Sequence, residues 1–445
     1  MKPARCLILV VLCVPSVAIA GEEVGGDVDA ERYWPQWRGP RHTGEAPHAD
    51  PPVSWSERKN IRWKIKLPGK GHSTPIVWGD QVFVTTAVPY GETFVPKYSG
   101  ASGAHDNVPV SRRYQFAVLA LGRRDGALMW RRDLCESLPH EGGHETASLA
   151  SNSPVTDGEH VYACFGSRGL YCLDFDGALH WGKDFGRMMT KHGHGEGSSP
   201  VLYGDTLVLN WDHEGQSFVV ALDKRSGEER WRAIRDEPTS WATPIIVEHA
   251  GTVQVIVSGT RYLRGYDLAT GQVIWKCGGL SANIVASPVP GHGMVIAGSS
   301  YEIRAMLAVR LQGARGDLTG TEWIAWTRRR GTPYVPSPLL YGDALYFLAH
   351  YQNVLTRVDP LTGENRPGPF RLHGIGNVYA SPVGAANRVY ITDLGGNTVV
   401  ISHQEETRML SFNRLDDRFS ASPALVDREI FFRGERYLYC IAEEE

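Results

Sequence analysis

Residues 199–209 read SPVLYGDTLVL and residues 337–347 read SPLLYGDALYF, so nearly the same eleven residues recur 138 positions apart. The shared pattern is a small residue and a proline, a short apolar strand, a Gly-Asp turn and a second apolar strand. The pattern has eight copies, whose prolines are Pro75, Pro154, Pro200, Pro244, Pro288, Pro338, Pro382 and Pro423. Most intervals between them are close to 44 residues, and the first, of 79, indicates a repeat with an insertion. A period of this length indicates a repeat architecture.

A tryptophan recurs at a fixed place in the same repeat. The spacing Gly-x3-Trp occurs at 126–130, 177–181, 227–231 and 271–275, just upstream of a Ser-Pro or Thr-Pro strand. We predict that these side chains are structural and dock between neighbouring repeats. The predicted docking residues are Trp63, Trp130, Trp181, Trp231, Trp275 and Trp326.

Each copy has room for four short strands. Gly-Asp turns suit a tight hairpin, and the period-2 alternation of β-branched and aromatic residues suits buried strands. One such sheet cannot bury both of its faces, so neighbours must stack, and a closed ring removes the open ends. Helical repeat arrays can share this period, but their helical periodicity is absent. The sequence therefore predicts an all-β fold: a single eight-bladed β-propeller of four-stranded antiparallel blades.

The way in which the ring closes can also be predicted. The last copy ends with a third strand, RYLYCIAEEE (436–445), and has no fourth. The segment NIRWKIKLP (60–68) supplies a spare strand that contains Trp63. We therefore expect residues 60–445 to form the propeller, with the N-terminal strand completing the blade that contains Ser422 and Pro423.

The beginning of the chain has the pattern of a secretory signal peptide. Lys2 and Arg5 precede an apolar run from Leu7 that ends in the A-x-A form at Ala20. This pattern predicts a signal peptide over 1–20, an N-terminal extension over 21–59, and export to the periplasm or the medium.

Charge, hydropathy and cysteine content limit which partners, membrane spans and disulfides can be expected. The formal net charge of -3 argues against a nucleic-acid-binding surface, which would be basic. No later apolar run has the length of a membrane span, so we predict no transmembrane segment, and we expect a monomer. Cys164 and Cys172 flank a turn; the sequence leaves open whether they form a disulfide or are core thiols.

Two stretches carry a resemblance to a known family. ALDKRSGEERW (221–231) and YDLATGQVIW (266–275) resemble the tryptophan-docking repeat of PQQ-binding-like (quinoprotein-like) β-propeller proteins. The opening WPQWRGPRHTG (34–44) is similar to that of secreted bacterial members. The eight repeats are also similar to the eight-bladed propeller component of the outer-membrane β-barrel assembly machinery. The resemblance covers about residues 34–445 and implies the propeller fold.

The resemblance also bears on the cofactor. Quinoprotein dehydrogenases of this family typically stack PQQ between a tryptophan and a disulfide of two adjacent cysteines, beside a Ca²⁺ ion. This sequence has no adjacent cysteine pair and is short for that class. We therefore predict that no cofactor binds, with PQQ kept as the alternative.

Polar residues concentrate in the loops that should share one face of the ring. Binding residues commonly lie on such loops above a rigid scaffold. HEGGH (140–144) matches a zinc-protease motif, but its glycines and the preceding Pro139 disfavour the helix that the motif needs. The candidate ligand-binding residues, with the choice between a metal site, an acid–base site and a solvated rim left open, are His140, His144, His192, His194, Glu196, Trp211, Asp212, His213, Arg235, Asp236 and Trp241.

These observations favour a secreted, non-catalytic propeller whose polar face binds a protein partner or a carbohydrate-like ligand. The alternative is an enzyme that uses the same face, either a PQQ-dependent oxidoreductase or a carbohydrate-active enzyme. The fold by itself does not distinguish them.

Overall fold

Eight sheets follow one another along the chain. The protein is described by a computed structural model that covers residues 30–349, 353–368 and 370–443. The predicted signal peptide and the start of the extension lie outside these residues.

The strands agree with the predicted repeat. Strand β1 (Ile61–Lys66) precedes the first repeat. Blade 1 contains β2 (Ile76–Trp78), β3 (Gln81–Tyr90), β4 (Arg113–Gly122) and β5 (Leu128–Ser137), and blade 2 contains β6 (Val155–Thr156), β7 (His160–Cys164), β8 (Leu170–Asp174) and β9 (Leu179–Lys183). Blade 3 contains β10 (Val201–Tyr203), β11 (Thr206–Trp211), β12 (Ser217–Asp223) and β13 (Glu229–Arg235), and blade 4 contains β14 (Ile245–His249), β15 (Thr252–Val257), β16 (Leu263–Asp267) and β17 (Val273–Cys277). Blade 5 contains β18 (Val289–Gly291), β19 (Met294–Ser299), β20 (Ala305–Arg310) and β22 (Ile324–Arg328); between the last two, β21 (Gly316–Asp317) joins the edge of blade 4. Blade 6 contains β23 (Leu339–Tyr341), β24 (Ala344–Leu348), β25 (Val354–Val358) and β26 (Phe370–Arg371), and blade 7 contains β27 (Val383–Ala385), β28 (Arg388–Thr392), β29 (Asn397–Ser402) and β30 (Met409–Arg414). Blade 8 contains β31 (Ala424–Val426), β32 (Glu429–Arg433) and β33 (Tyr437–Ala442).

Helical structure in the described part of the chain is limited to short 3₁₀ turns. They are Ala30–Arg32, Gly166–Arg168 and Lys191–Gly193. Among the described residues, no helix has the length and apolar character needed to cross a membrane.

The ring closes as the sequence predicts. Strand β1 pairs antiparallel with β33, and Trp63 lies opposite Cys440, so the N-terminal strand is the fourth strand of blade 8. The first strands of successive blades contact one another all the way round, including β31 of blade 8 with β2 of blade 1. The predicted eight-bladed propeller is therefore confirmed. One detail differs: β21 pairs parallel with β17 and gives blade 4 a fifth strand.

The repeated small-Pro mark forms a ring of hydroxyl groups around the central channel. In seven of the eight blades the Ser or Thr hydroxyl accepts a hydrogen bond from the equivalent backbone N–H of the preceding blade. Examples are Ser153 N–H to Ser199 Oγ at 2.9 Å and Ser199 N–H to Thr243 Oγ1 at 3.0 Å. The series continues through Ser287, Ser337 and Ser381 to Ser422, whose carbonyl accepts from Thr74 Oγ1. These hydroxyls satisfy buried backbone donors that no strand partner reaches.

The N-terminal extension crosses the central channel. Trp34 exchanges backbone hydrogen bonds with Val77 in blade 1. Four residues later, the buried Arg38 donates to the carbonyls of Pro338 and Pro382 in blades 6 and 7. Between them, Trp37 reaches Ser287 in blade 5, its indole N–H lying 3.1 Å from the hydroxyl oxygen. The extension therefore helps to bound the channel.

The docking tryptophans explain the Gly-x3-Trp spacing. The indole N–H of Trp181 donates to the Lys224 carbonyl in the turn of the next blade, and its ring covers Gly227. A Cβ on Gly227 would lie 2.7 Å from that ring, and the backbone there has a positive φ of 72°. The glycine of this turn thus receives the tryptophan of the preceding blade. The same arrangement holds for Trp63, Trp130, Trp231 and Trp326.

Trp275 is different. Its indole N–H donates to Gln254 Oε1 of the same blade at 2.7 Å, and its ring lies across Gly265 on the neighbouring strand. The ring still packs among apolar residues of blade 5, such as Leu311 and Leu318. Trp275 is therefore structural, but it does not dock onto a turn of the next blade.

Candidate functional site

A cavity of about 470 Å³ lies where the loops meet the central channel. Part of its lining comes from the ring of hydroxyl groups around the channel, including those of Ser199, Thr243 and Ser337. Five aromatic side chains also line it: Trp37, Trp241, Tyr301, Tyr334 and Tyr379. The rings of Tyr301 and Tyr334 stack with centroids 6.0 Å apart and planes 17° from parallel.

Four histidines line the same cavity: His72, His105, His144 and His194. We call His105, His144 and His194 the histidine cluster. A ring nitrogen from each of the three lies within 4.8 Å of a ring nitrogen of the other two. The ring centroids are 4.7 Å apart for His105 and His194 and 4.9 Å apart for His144 and His194.

Backbone hydrogen bonds between three loops bring the cluster together. His105 lies between β3 and β4 of blade 1, His144 between blades 1 and 2, and His194 between blades 2 and 3. The His144 N–H donates to the His194 carbonyl at 3.1 Å, and Glu145 N–H donates to the Asp106 carbonyl at 2.8 Å. The Asn107 side chain adds hydrogen bonds to the carbonyls of His192 and Gly193, so backbone and side-chain contacts together hold the three loops.

Burial disfavours the protonated form of His144 and His194. The pKa of His194 is lowered to about 4, first by burial and then by the neighbouring His144, His105 and His192. Burial also lowers the pKa of His144. The Nε2 atoms of His194 and His72 are buried and have no hydrogen-bond partner. Two ring nitrogens at the cavity are thus desolvated and unsatisfied, which costs free energy in the absence of a ligand.

Several predicted site residues do belong to this region. His144, His194, Glu196 and Trp241 line the cavity. The Trp241 indole N–H donates to the Gly195 carbonyl at 2.6 Å, which fixes the ring against the histidine loop. His192 lies beside the cluster, with its ring centroid 5.3 Å from that of His194.

Glu196 and His140 have local structural partners. Glu196 accepts hydrogen bonds from Ser167 N–H at 2.6 Å and from Arg168 Nη1 at 3.0 Å, so its carboxylate is already paired. His140 Nε2 lies 2.7 Å from the Met188 carbonyl and 3.9 Å from Glu196 Oε1. Both residues brace the loop that carries His194.

The structure places the remaining candidates away from the cavity lining. Asp212 and Arg235 form a fully buried, two-point ion pair at 2.7 and 3.0 Å, and this carboxylate raises the pKa of Arg235 despite its burial. Trp211 packs in the core of blades 2 and 3 beside Phe185. His213 Nδ1 accepts from the Met189 N–H at 3.2 Å.

Asp236 is also outside the cavity. It is exposed on the surface and forms an ion pair with Arg264. Within HEGGH, residues 140–144 contain no helix, in agreement with the rejection of a zinc-protease motif. The five described cysteines, Cys164 and Cys172 among them, are free thiols.

Sequence reasoning missed His105, His72 and most of the aromatic side chains. His105 lies in the insertion that makes the first interval 79 residues long, so the irregular spacing was the available signal. Tyr301 and Tyr334 lie in ordinary blade loops, and nothing in the repeat pattern distinguishes them. Trp37 comes from the extension, whose path across the channel has no sequence signature.

Comparison with known proteins agrees with this architecture. A family model described as outer membrane protein assembly factor BamB matches residues 115–276 and 215–445. None of the curated proteins matches the sequence.

Solved structures share the fold at low identity. BamB from Moraxella catarrhalis is 13% identical, with a TM-score of 0.52, over 80% of this chain and 98% of that one. Quinohemoprotein alcohol dehydrogenase from Comamonas testosteroni is 11% identical, with a TM-score of 0.61, over 94% of this chain and 82% of that one. A europium-containing methanol dehydrogenase is 10% identical, with a TM-score of 0.57, over 91% and 90% of the two chains. At these identities the likeness shows the fold alone, whereas the family match extends over more than half of the sequence. The chain therefore belongs to the PQQ-like β-propeller repeat family whose model is described as outer membrane protein assembly factor BamB.

Proposed function

We propose that this protein is an exported, non-catalytic binding protein that holds a carbohydrate-like ligand in the cavity at the loop-side mouth of its channel. The observation that carries the proposal is the lining, which combines aromatic side chains with hydroxyl groups and imidazoles. A cavity of about 470 Å³ falls within the usual range for small-ligand sites.

The chemistry of the lining favours a ligand with many hydroxyl groups. Tyr301 is substantially exposed and stacks on Tyr334 with one face, so its other face is the one that could stack against the apolar face of a sugar ring. Serine and threonine hydroxyls can both donate and accept, which suits a neutral polyol. The described residues that line the cavity include no Lys or Arg. A strongly anionic ligand would therefore lack a charged partner.

The same lining fits PQQ poorly. PQQ is a flat quinone with three carboxylate groups, and the cavity offers those groups neither a guanidinium nor an ammonium partner. The cysteine thiols of the described chain are dispersed, so the adjacent pair typical of quinoprotein dehydrogenases is missing as well. These two features support a ligand other than PQQ.

Calorimetry and tryptophan fluorescence with a panel of oligosaccharides and PQQ test the proposal. Trp37 and Trp241 line the cavity, so a bound ligand should change the fluorescence. Tyr301→Ala should weaken binding about 5–10-fold, equivalent to the ~1 kcal/mol of one aromatic contact. Tyr203→Ala is the matched control, because Tyr203 lies at the turn end of β10 and pairs with Glu248.

Two results would contradict the proposal. Saccharide binding that is absent, or equally weakened by Tyr203→Ala, would remove the carbohydrate site. Release or oxidation of the saccharide during incubation would replace the non-catalytic function with the enzymatic alternative.

A second candidate function, binding of a protein partner, rests on a different surface. The loop between β3 and β4 exposes Phe94, Val95 and Tyr98, with Val95 90% exposed. Adjacent exposed apolar side chains are typical of interaction surfaces, and the family description names an assembly factor. Photo-crosslinking from position 95 in the native cell envelope should capture one specific protein, whereas crosslinking from position 203 should not. Equal capture from both positions would contradict this function.

A further inference from the structure

We propose that His105, His144 and His194 bind one divalent transition-metal ion of the kind that prefers imidazole, with Zn²⁺ as the representative. The inference goes beyond saccharide binding and does not depend on it. It rests on three ligand-bearing side chains that converge from three separate loops at the edge of the cavity.

The distances are compatible with coordination after a small adjustment. The three ring nitrogens lie within 4.8 Å of one another. Tetrahedral nitrogen ligands at about 2.0–2.1 Å from zinc stand roughly 3.3 Å apart, so ring movements of roughly 1 Å would close the site. Three protein ligands leave a fourth position open, and that position would face the cavity.

The hydrogen bonds of His105 prepare it as a ligand. Its Nδ1 lies 2.9 Å from the Gly103 carbonyl. Because a carbonyl can only accept, Nδ1 carries the proton and Nε2 keeps its lone pair. Such carbonyl partners commonly orient histidines that bind metals.

His144 has an adaptable partner. Its Nδ1 lies 2.8 Å from the Thr146 hydroxyl, which can donate or accept. The Thr146 backbone N–H also donates to Nδ1, at 3.2 Å, so the proton of the neutral ring lies on Nε2 in this structure. Coordination through Nε2 requires that proton to move to Nδ1, where the Thr146 hydroxyl would accept it. Thr146 is therefore a positioning residue for this ligand.

His194 provides the observation that points most directly to a ligand. Its Nε2 is buried and lacks a hydrogen-bond partner. A buried polar atom without a partner is costly, and a metal ion would satisfy it.

The composition of the cluster indicates the class of metal. Imidazole ligands suit zinc, copper, iron and nickel, whereas calcium and magnesium prefer oxygen. The neighbouring His192 is less suited to join, because it lies outside the group of converging nitrogens.

The test uses the full chain after treatment with a chelator. Calorimetry should show one tight Zn²⁺ site per chain, Co²⁺ should give the visible absorption of a low-coordinate site, and Ca²⁺ should not compete. His105→Ala, His144→Ala and His194→Ala should each weaken Zn²⁺ binding by at least the roughly 10–100-fold that loss of an outer-shell partner costs. Thr146→Val should weaken it by less.

Two histidine variants outside the cluster are matched controls. His192→Asn, chosen because the backbone there has a positive φ of 58°, and His180→Ala on the exposed strand β9 should keep the tight site. Thermal melts confirm that each variant is folded. The proposal would be overturned if the control variants lost as much Zn²⁺ affinity as the cluster variants. It would also be overturned if the parent protein bound Zn²⁺ no more tightly than the triple variant His105→Ala, His144→Ala, His194→Ala. Tyr301→Ala should leave Zn²⁺ binding unchanged, so failure of the metal site is distinguishable from failure of the saccharide site.

Discussion

The docking tryptophans and the histidine cluster are the two regions with the most unusual side chains, and they differ in how often they occur. The docking contact recurs round the ring, each time with the indole N–H donating to a carbonyl of the next blade. Within the described part of the chain, such a histidine cluster occurs at one position, where three loops of blades 1 to 3 meet. In one region each indole N–H is paired; in the other, the buried Nε2 of His194 has no partner.

The difference indicates that the docking tryptophans stabilise the fold, whereas the histidine cluster serves ligand binding. A feature that every blade repeats serves what every blade needs, which is packing against its neighbour. A feature present once, at the end of the channel and with unsatisfied polar atoms, contributes little to stability. We therefore expect substitutions in the two regions to have opposite effects on folding and on ligand binding.

The largest loss of stability should come from Trp275→Ala. This side chain is completely buried, and its indole N–H pairs with Gln254. Removal should lower the free energy of unfolding by about 3–5 kcal/mol, the usual cost for a large buried aromatic, and leave Gln254 Oε1 unpaired. Urea titration followed by circular dichroism measures the change. A loss smaller than that of Trp231→Ala would show that the within-blade contact is the weaker one.

Trp231→Ala should cost about 3 kcal/mol, at the lower end of the same range. Trp231 is only partly buried, although its indole N–H donates to the Leu268 carbonyl at 2.7 Å. The same denaturant titration applies, and Zn²⁺ affinity should not change. An unchanged midpoint would contradict the structural role of the docking contact.

His42 should contribute a pH dependence of stability that neither region accounts for. Burial lowers its pKa to about 4, below the ordinary value of 6.5. The unfolded chain therefore takes up a proton that the folded chain does not, so stability is lost as pH falls from about 6.5 towards 4. Between pH 7.5 and 5.5 the loss from this residue should be about 1 kcal/mol.

His42→Asn tests this expectation by removing the titrating group. Asn tolerates the positive φ of 59° at this position. The variant should show a smaller decrease in stability between pH 7.5 and 5.5 than the parent, measured by urea titration at each pH. An identical decrease would mean that other groups account for the acid sensitivity.

The smallest effect on stability should come from His194→Ala. Because its Nε2 makes no hydrogen bond, the free energy of unfolding without metal should change by less than about 1 kcal/mol. Adding Zn²⁺ should raise the melting temperature of the parent and not that of the variant. A large loss of stability in the metal-free variant would contradict the expectation that the histidine cluster contributes little to folding.

The sequence by itself was sufficient to determine the ring. The spacing of the eight small-Pro marks specified the number of blades, and the missing fourth strand at the C-terminus specified that β1 closes blade 8. Both inferences depend on a local pattern that repeats, because every copy of the pattern has to form the same kind of four-stranded blade. The Gly-x3-Trp spacing predicted most docking contacts for the same reason.

The tertiary structure alone decided which polar residues face the cavity. Asp212 and Arg235 look like site residues in the sequence, yet they pair with each other in the interior. His105, which joins His144 and His194, lies 39 and 89 residues before them. Loop positions carry no periodicity, and many of the hydrogen bonds that direct these loops are formed by backbone groups, which all residues share. The site therefore depends on how three loops of different blades meet, and no local sequence pattern records that meeting.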